Sequence, residues 1–111
     1  MAFGVTRQEL VKWKTKAANG QMAFLTHFWY DPRFPQYKTV TKAACTHKET
    51  LIQWGQKYGL KEEWIHDRQT FPHFDLMGEW EKRILREEGR ESKLVQLEQK
   101  LCSGNQQRTT N

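Results

Sequence analysis

Apolar residues follow two different rhythms along this chain. Leu10, Trp13 and Ala17 recur at the spacing of one helix face, with Lys12, Lys14 and Lys16 between them. Thr6-Arg-Gln-Glu9 reads as a capping box, in which the Thr6 hydroxyl and the Glu9 carboxylate each satisfy a free backbone N–H. Val5 and Leu10 fall at the staple positions and Asn19-Gly20 supplies a left-handed stop, so the pattern predicts a helix over 7–19. The rhythm then changes: Phe24, Phe28, Trp29 and Tyr30 suit a pleated surface, and residues 21–30 are largely apolar on both alternating faces. That predicts a strand in the middle of a sheet. Pro32 and Pro35 end it in a stiff turn, and the Thr/Val content of 38–45 predicts a second, shorter strand, antiparallel to the first.

Helical spacing returns at Leu51, Trp54 and Tyr58, behind a second capping-box pattern, Thr46-His-Lys-Glu49, and ahead of Gly59. A helix over 47–58 follows. Residues 61–68 fit either a helical turn or a short strand through Trp64-Ile65-His66, and 70–73 reads as a loop around Pro72. Asp75 is placed to cap a third helix carrying Met77, Trp80 and Ile84 on one face. Gly89 interrupts that helix, and Leu94, Leu97 and Leu101 mark an amphipathic fourth.

The expected fold is α+β, a two- to three-stranded sheet packed with three to four helices, with Phe24, Phe28, Leu51, Trp54, Ile65, Trp80 and Ile84 in its core. Residues 1–90 form the expected domain, 91–102 an appended helix and 103–111 a polar, disordered tail.

Composition narrows the class of protein. A chain of 111 residues holds one core, and although only 37% of it is hydrophobic, five Trp, six Phe and three Tyr make that core aromatic. No long apolar run or signal-peptide pattern is present, which points to a cytoplasmic protein with no membrane partner. Cys45 and Cys102 stand far apart in no metal-ligand spacing and read as thiols, one buried and one near the tail. The net charge of +5 is uneven: residues 1–48 carry eight Lys and Arg against only Glu9 and Asp31. Such a half attracts phosphate, on nucleic acid or on a small ligand.

Two segments, Thr26-His-Phe-Trp-Tyr-Asp-Pro-Arg-Phe-Pro35 and Phe71-Pro-His-Phe-Asp-Leu-Met-Gly78, resemble a small uncharacterised family of Gram-positive bacteria, the YneQ-like proteins. More distantly they are similar to a wider bacterial family of unknown function with Asp-Pro-Arg and Pro-His-aromatic-Asp-Leu elements. The close resemblance covers most of residues 1–90 and the wider one about 22–90. It implies a strand running into an Asp-Pro-Arg turn and a helix ending in Gly-Leu, and it carries no activity.

Chemistry-bearing residues gather in those same segments. His27, Asp31, Arg33 and Lys42 are the candidate ligand-binding residues, and His66, His73 and Asp75 the candidate catalytic ones. Each also has a purely structural reading: Asp31 as a turn cap, Asp75 as a helix cap, His27 as a packed histidine, Arg33 as the partner of Asp31 or Asp75. Taken together, two short loops stiffened by proline suit a pocket for a phosphate-bearing ligand or nucleotide, with Asp31, Arg33, His66, His73 and Asp75 converging in it and hydrolysis as the reaction class. No metal-ligand signature, Gly-rich phosphate loop or Ser-nucleophile motif is present, and the sequence leaves the cofactor, and whether a metal is bound, unknown.

Two other classes compete with that reading. Gly55-Gln-Lys-Tyr-Gly59-Leu60 followed by Ile65 has helix-turn-helix spacing, although Glu62, Glu63 and Asp67 on the reading helix would face a polyanion. Weak, sequence-indifferent nucleic-acid binding through Lys12, Lys14, Lys16, Lys38 and Lys42 needs no such motif. The third class is a protein-interaction module, a homodimer formed through the helix of Leu94 and Leu101.

Overall fold

A computed structural model describes residues 4–67 and 71–110, with side chains through Leu101. The elements run α1 (Arg7–Ala18), β1 (Ala23–Phe28), β2 (Thr39–Ala44), α2 (Lys48–Lys57), β3 (His73–Leu76), α3 (Gly78–Glu88) and α4 (Ser92–Thr110), with a 3-10 turn at Glu62–Trp64. Four helices therefore pack on a three-stranded antiparallel sheet ordered β1-β2-β3.

The first capping box forms as read, with the Glu9 N–H donating to Thr6 Oγ1 at 3.0 Å and the Thr6 N–H to Glu9 Oε1 at 3.3 Å. The second does not. His47 is the N-cap of α2 and makes no side-chain cap, because the Thr46 hydroxyl donates instead to the Ala17 carbonyl at 2.8 Å, tying β2 to the end of α1. At the other end of α2, Gly59 takes φ +82° and the Leu60 N–H returns to the Gly55 carbonyl. That is a left-handed helix stop.

Strand pairing sorts the side chains onto two faces, since partners across an antiparallel pair point the same way. On one face Ala43, Phe74 and Leu76 pack with Leu51, Tyr58, Leu60 and Ile84. On the other, Trp13 and Ala17 of α1 cover Ala23, Leu25 and Ala44. The cover of α1 reaches only that end of the sheet. Beside Leu25 in register stand Lys42 and then Asp75, and the next rank holds His27 opposite Val40.

Several expectations are corrected here. β2, not β1, is the central strand; β1 is apolar on both sides because α1 and α4 cover an edge strand. His73 is no loop residue but opens β3, and Asp75 lies inside that strand, so Met77 is the N-cap of α3 with no side-chain cap. The alternation of Phe74 and Leu76 against His73 and Asp75 is a strand period of two, which a short Pro-bounded run concealed. Trp80 is 38% exposed, and Phe24, Phe28, Trp54 and Ile65 are half-buried around the fully buried Leu51 and Ile84.

Residues 61–67 combine both readings left open, a 3-10 turn followed by a bridge between His66 and His73. The second helix of a helix-turn-helix does not form there. Gly55 has a packing reason instead: a Cβ on it would stand 2.6 Å from the Phe74 ring. In α4, Leu94 and Leu97 are buried against the body, while Val95 and Leu101 are exposed. Its backbone stays helical through Thr110, across most of the expected tail; side chains of residues 102–110, the Cys102 thiol among them, and all of Asn111 lie outside the described residues. Cys45 is a buried thiol. Among the described residues no helix is long and apolar enough to cross a membrane.

Candidate functional site

Beyond β1 the chain makes two successive turns, with the Phe34 N–H donating to the Asp31 carbonyl at 2.9 Å and the Tyr37 N–H to the Phe34 carbonyl at 3.0 Å. Asp31 organises the first turn. Its Oδ1 accepts from the Arg33 backbone N–H at 2.9 Å, and its two oxygens grip the guanidinium through Nε and, at 2.6 Å, Nη2. These hydrogen bonds from the Arg33 side chain and backbone hold the Asp31 carboxyl down to about 2. Arg33 is thereby oriented while 77% of its side chain stays exposed.

Aromatic rings line the same turns. Trp29 stacks near Phe34 at 6.4 Å and Phe34 near Tyr37 at 6.1 Å, and across the groove Trp64 meets Trp80 edge-on at 6.2 Å. Together with Arg33, His66 and Asp75, these rings line a cavity of about 650 Å³. It sits where β3 loses its neighbour. His66 and His73 exchange backbone hydrogen bonds at 2.8 and 3.0 Å, so strand alternation turns the Asp75 N–H and C=O outward at the next open position of that edge.

The Asp75 carboxylate is the hub of the polar residues. His66 Nε2 lies 3.4 Å from its Oδ2 and His73 Nε2 3.5 Å from its Oδ1, and the two imidazoles stack at 5.5 Å. His66 is exposed, whereas His73 is buried and its Nδ1 donates to the Phe71 carbonyl at 2.8 Å. The 3.5 Å approach lacks hydrogen-bond geometry, so Asp75 Oδ1 is a buried acceptor without a donor.

A second, smaller cavity of about 210 Å³ opens on the uncovered sheet face, lined by His27, Trp29, Val40, Lys42, Asp75 and Met77. It shares Trp29, Asp75 and Met77 with the larger one. His27 is 3% exposed, and its Nδ1 donates to the Phe28 carbonyl at 2.8 Å. Burial pushes the His27 imidazolium below its ordinary value, Lys42 adding to the effect while the Phe28 carbonyl and Asp75 oppose it.

Of the residues singled out from sequence, Arg33, His66 and Asp75 line one cavity and His27, Lys42 and Asp75 the adjoining one. Asp31 stands behind Arg33, and His73 beside Asp75. Among the described residues, no three of His, Cys, Asp or Glu are placed to hold a metal ion. Sequence reasoning missed the walls: Trp29, Phe34, Tyr37, Trp64 and Trp80. The available signal was the density of Trp29, Phe34 and Tyr37 around the Pro32–Pro35 turn; of the five, only Trp80 is expected in the core.

No family model matches the chain, and no solved structure matches it. It is 55% identical over 97 residues to the uncharacterized protein YneQ of Bacillus subtilis (strain 168), an alignment covering 87% of this chain and 98% of that protein. With that identity over nearly the whole of both chains, the protein belongs to the YneQ-like family of small bacterial proteins.

Proposed function

We propose that the groove at the β3 edge binds a phosphate-bearing small ligand with a planar ring, a nucleotide in the simplest case. The observation that carries this reading is the lining of the cavity of about 650 Å³: six aromatic rings beside an exposed guanidinium locked by its own turn. Aromatic faces stack on flat rings, and a pre-oriented arginine donates to phosphate oxygens with little ordering cost. Trp64, Trp80 and Phe34 take the ring in this reading. Arg33, which lines the same cavity as His66, faces the phosphate. His66, exposed and 3.4 Å from Asp75, is the group able to move a proton at the ligand, and hydrolysis of a phosphate ester is the reaction it would serve.

Titrating the intrinsic tryptophan fluorescence with nucleoside monophosphates and sugar phosphates tests the proposal. Nucleotides should quench it saturably, Trp64→Ala should weaken binding roughly tenfold or more through the lost stacking, and Arg33→Ala should weaken nucleotides but not nucleosides. Silence of the fluorescence across the panel, or unchanged binding in both variants, removes the groove as the site.

A second reading rests on a different surface. Lys12 and Lys16 of α1 together with Arg90 and Lys93 line a cavity of about 330 Å³ beside β1, with Glu9 pairing Lys93 at 3.0 Å. Four cations on one cleft favour weak nucleic-acid binding without sequence preference. Fluorescence anisotropy of unrelated oligonucleotides should then show similar affinities that fall steeply with salt, and no loss on replacing Lys12 and Lys16 by Glu would exclude this cleft.

A further inference from the structure

We infer that the ring taken by the groove is guanine-type, recognised at its edge by His27, Lys42 and Asp75; the inference rests on the nucleotide reading above. The subsite is the cavity of about 210 Å³ on the open sheet face, and because it shares Trp29, Asp75 and Met77 with the groove, one ligand spans both.

Its polar atoms define what they accept. A carbonyl has no proton to give, so the 2.8 Å contact to Phe28 fixes the proton of His27 on Nδ1 and leaves Nε2 as a bare lone pair. That nitrogen is buried with no hydrogen-bond partner, and so is Asp75 Oδ1. Two buried acceptors without donors are costly, and a ligand satisfies them only by bringing N–H groups. Lys42 lies directly opposite Asp75 in the β2–β3 register and forms no ion pair among the described residues, which leaves its ammonium for an oxygen.

Two acceptors and one cation complement an edge that carries neighbouring N–H and NH₂ donors beside a carbonyl. Guanine has that edge. Hypoxanthine keeps the carbonyl and the ring N–H but lacks the amino group. Adenine sets a ring lone pair where the N–H should be and has no carbonyl for Lys42. Phosphate belongs with the Arg33 guanidinium, which lines the larger cavity and not the smaller one.

Isothermal titration of the full chain with guanosine, inosine and adenosine monophosphates tests this directly. Guanosine monophosphate should bind at least tenfold tighter than inosine monophosphate, and adenosine monophosphate weakest, because a site built on buried polar groups rejects analogues that leave them unpaired. Asp75→Asn, whose amide can donate to the adenine ring nitrogen, should weaken guanosine monophosphate and strengthen adenosine monophosphate, collapsing the ranking, and His27→Gln should narrow it. Equal binding of all three, each weakened by Trp64→Ala, overturns the edge recognition and keeps the groove. No binding of any at millimolar concentration overturns both. The ligand series on the unaltered protein decides the point even where a variant fails to fold.

Discussion

Lys42 and Asp75 face each other across β2 and β3 on the same side of the sheet, yet Asp75 turns its two oxygens toward His73 and His66 and not toward the lysine. The charge of Lys42 is instead felt by His27 on the other neighbouring strand. Replacing Lys42 by Met should therefore raise the titration of His27 toward 6.5, its ordinary value, as followed by proton-detected NMR of the imidazole. An unmoved His27 would show that burial alone sets its protonation.

His27 also makes stability depend on pH. Its folded value lies below the ordinary 6.5, so the unfolded chain takes up the proton first. The stability it contributes is present above 6.5 and lost as pH falls through the lowered folded value. Urea midpoints of the wild type should drop more steeply than those of His27→Gln across that window, and parallel curves would contradict the assignment.

Glu81 should show the opposite sign. It is 2% exposed on the helix-covered face of the sheet, where Thr39 and Thr41 donate to its two oxygens at 2.7 and 2.8 Å. Burial pushes its carboxyl above the ordinary 4.5, with Glu98 adding and the two threonines and Lys82 opposing. A raised carboxyl contributes stability that is full below 4.5 and lost as pH rises through its folded value. Glu81→Gln, which keeps the shape and removes the charge, should gain on the wild type as pH rises through that range. A constant difference between the two urea midpoints would count against it.

Gly55 and Phe74 are a matched pair. A Cβ at Gly55 would meet ring atoms of Phe74 at 2.6 and 2.7 Å, so Gly55→Ala should cost about 1–3 kcal/mol by overpacking. Phe74→Ala should cost about 3–5 kcal/mol through the cavity it leaves. Combining Gly55→Ala with Phe74→Leu should cost less than the sum of the single changes in urea denaturation, since the smaller side chain vacates the contested space. Strict additivity would mean that helix α2 shifts instead.

Arg33 is exposed, and its grip on Asp31 orients the turn more than it stabilises the fold. Arg33→Ala should leave the melting temperature nearly unchanged while the Asp31 carboxyl rises from about 2 toward its ordinary 3.8 in an NMR titration. A carboxyl that stays near 2 would mean that the turn backbone, and not the guanidinium, holds the charge.

What the sequence determined by itself is local. The Thr6 box, the Asn19-Gly20 and Gly59 stops, the antiparallel β1–β2 pair and the Asp31–Arg33 turn each depend on groups within a few residues or on a single apolar period. Tertiary structure decided whatever needed a partner far along the chain. Thr46 reads as a helix cap until the end of α1 offers its hydroxyl a carbonyl, and Asp75 reads as another until β2 offers it a strand to join. Trp80 looks like a core residue because large apolar surface favours burial, and only packing shows that it stays partly exposed beside Trp64. The groove exists because those rings were left over at an open strand edge, and four residues of β3 carry too little period to announce an edge in advance.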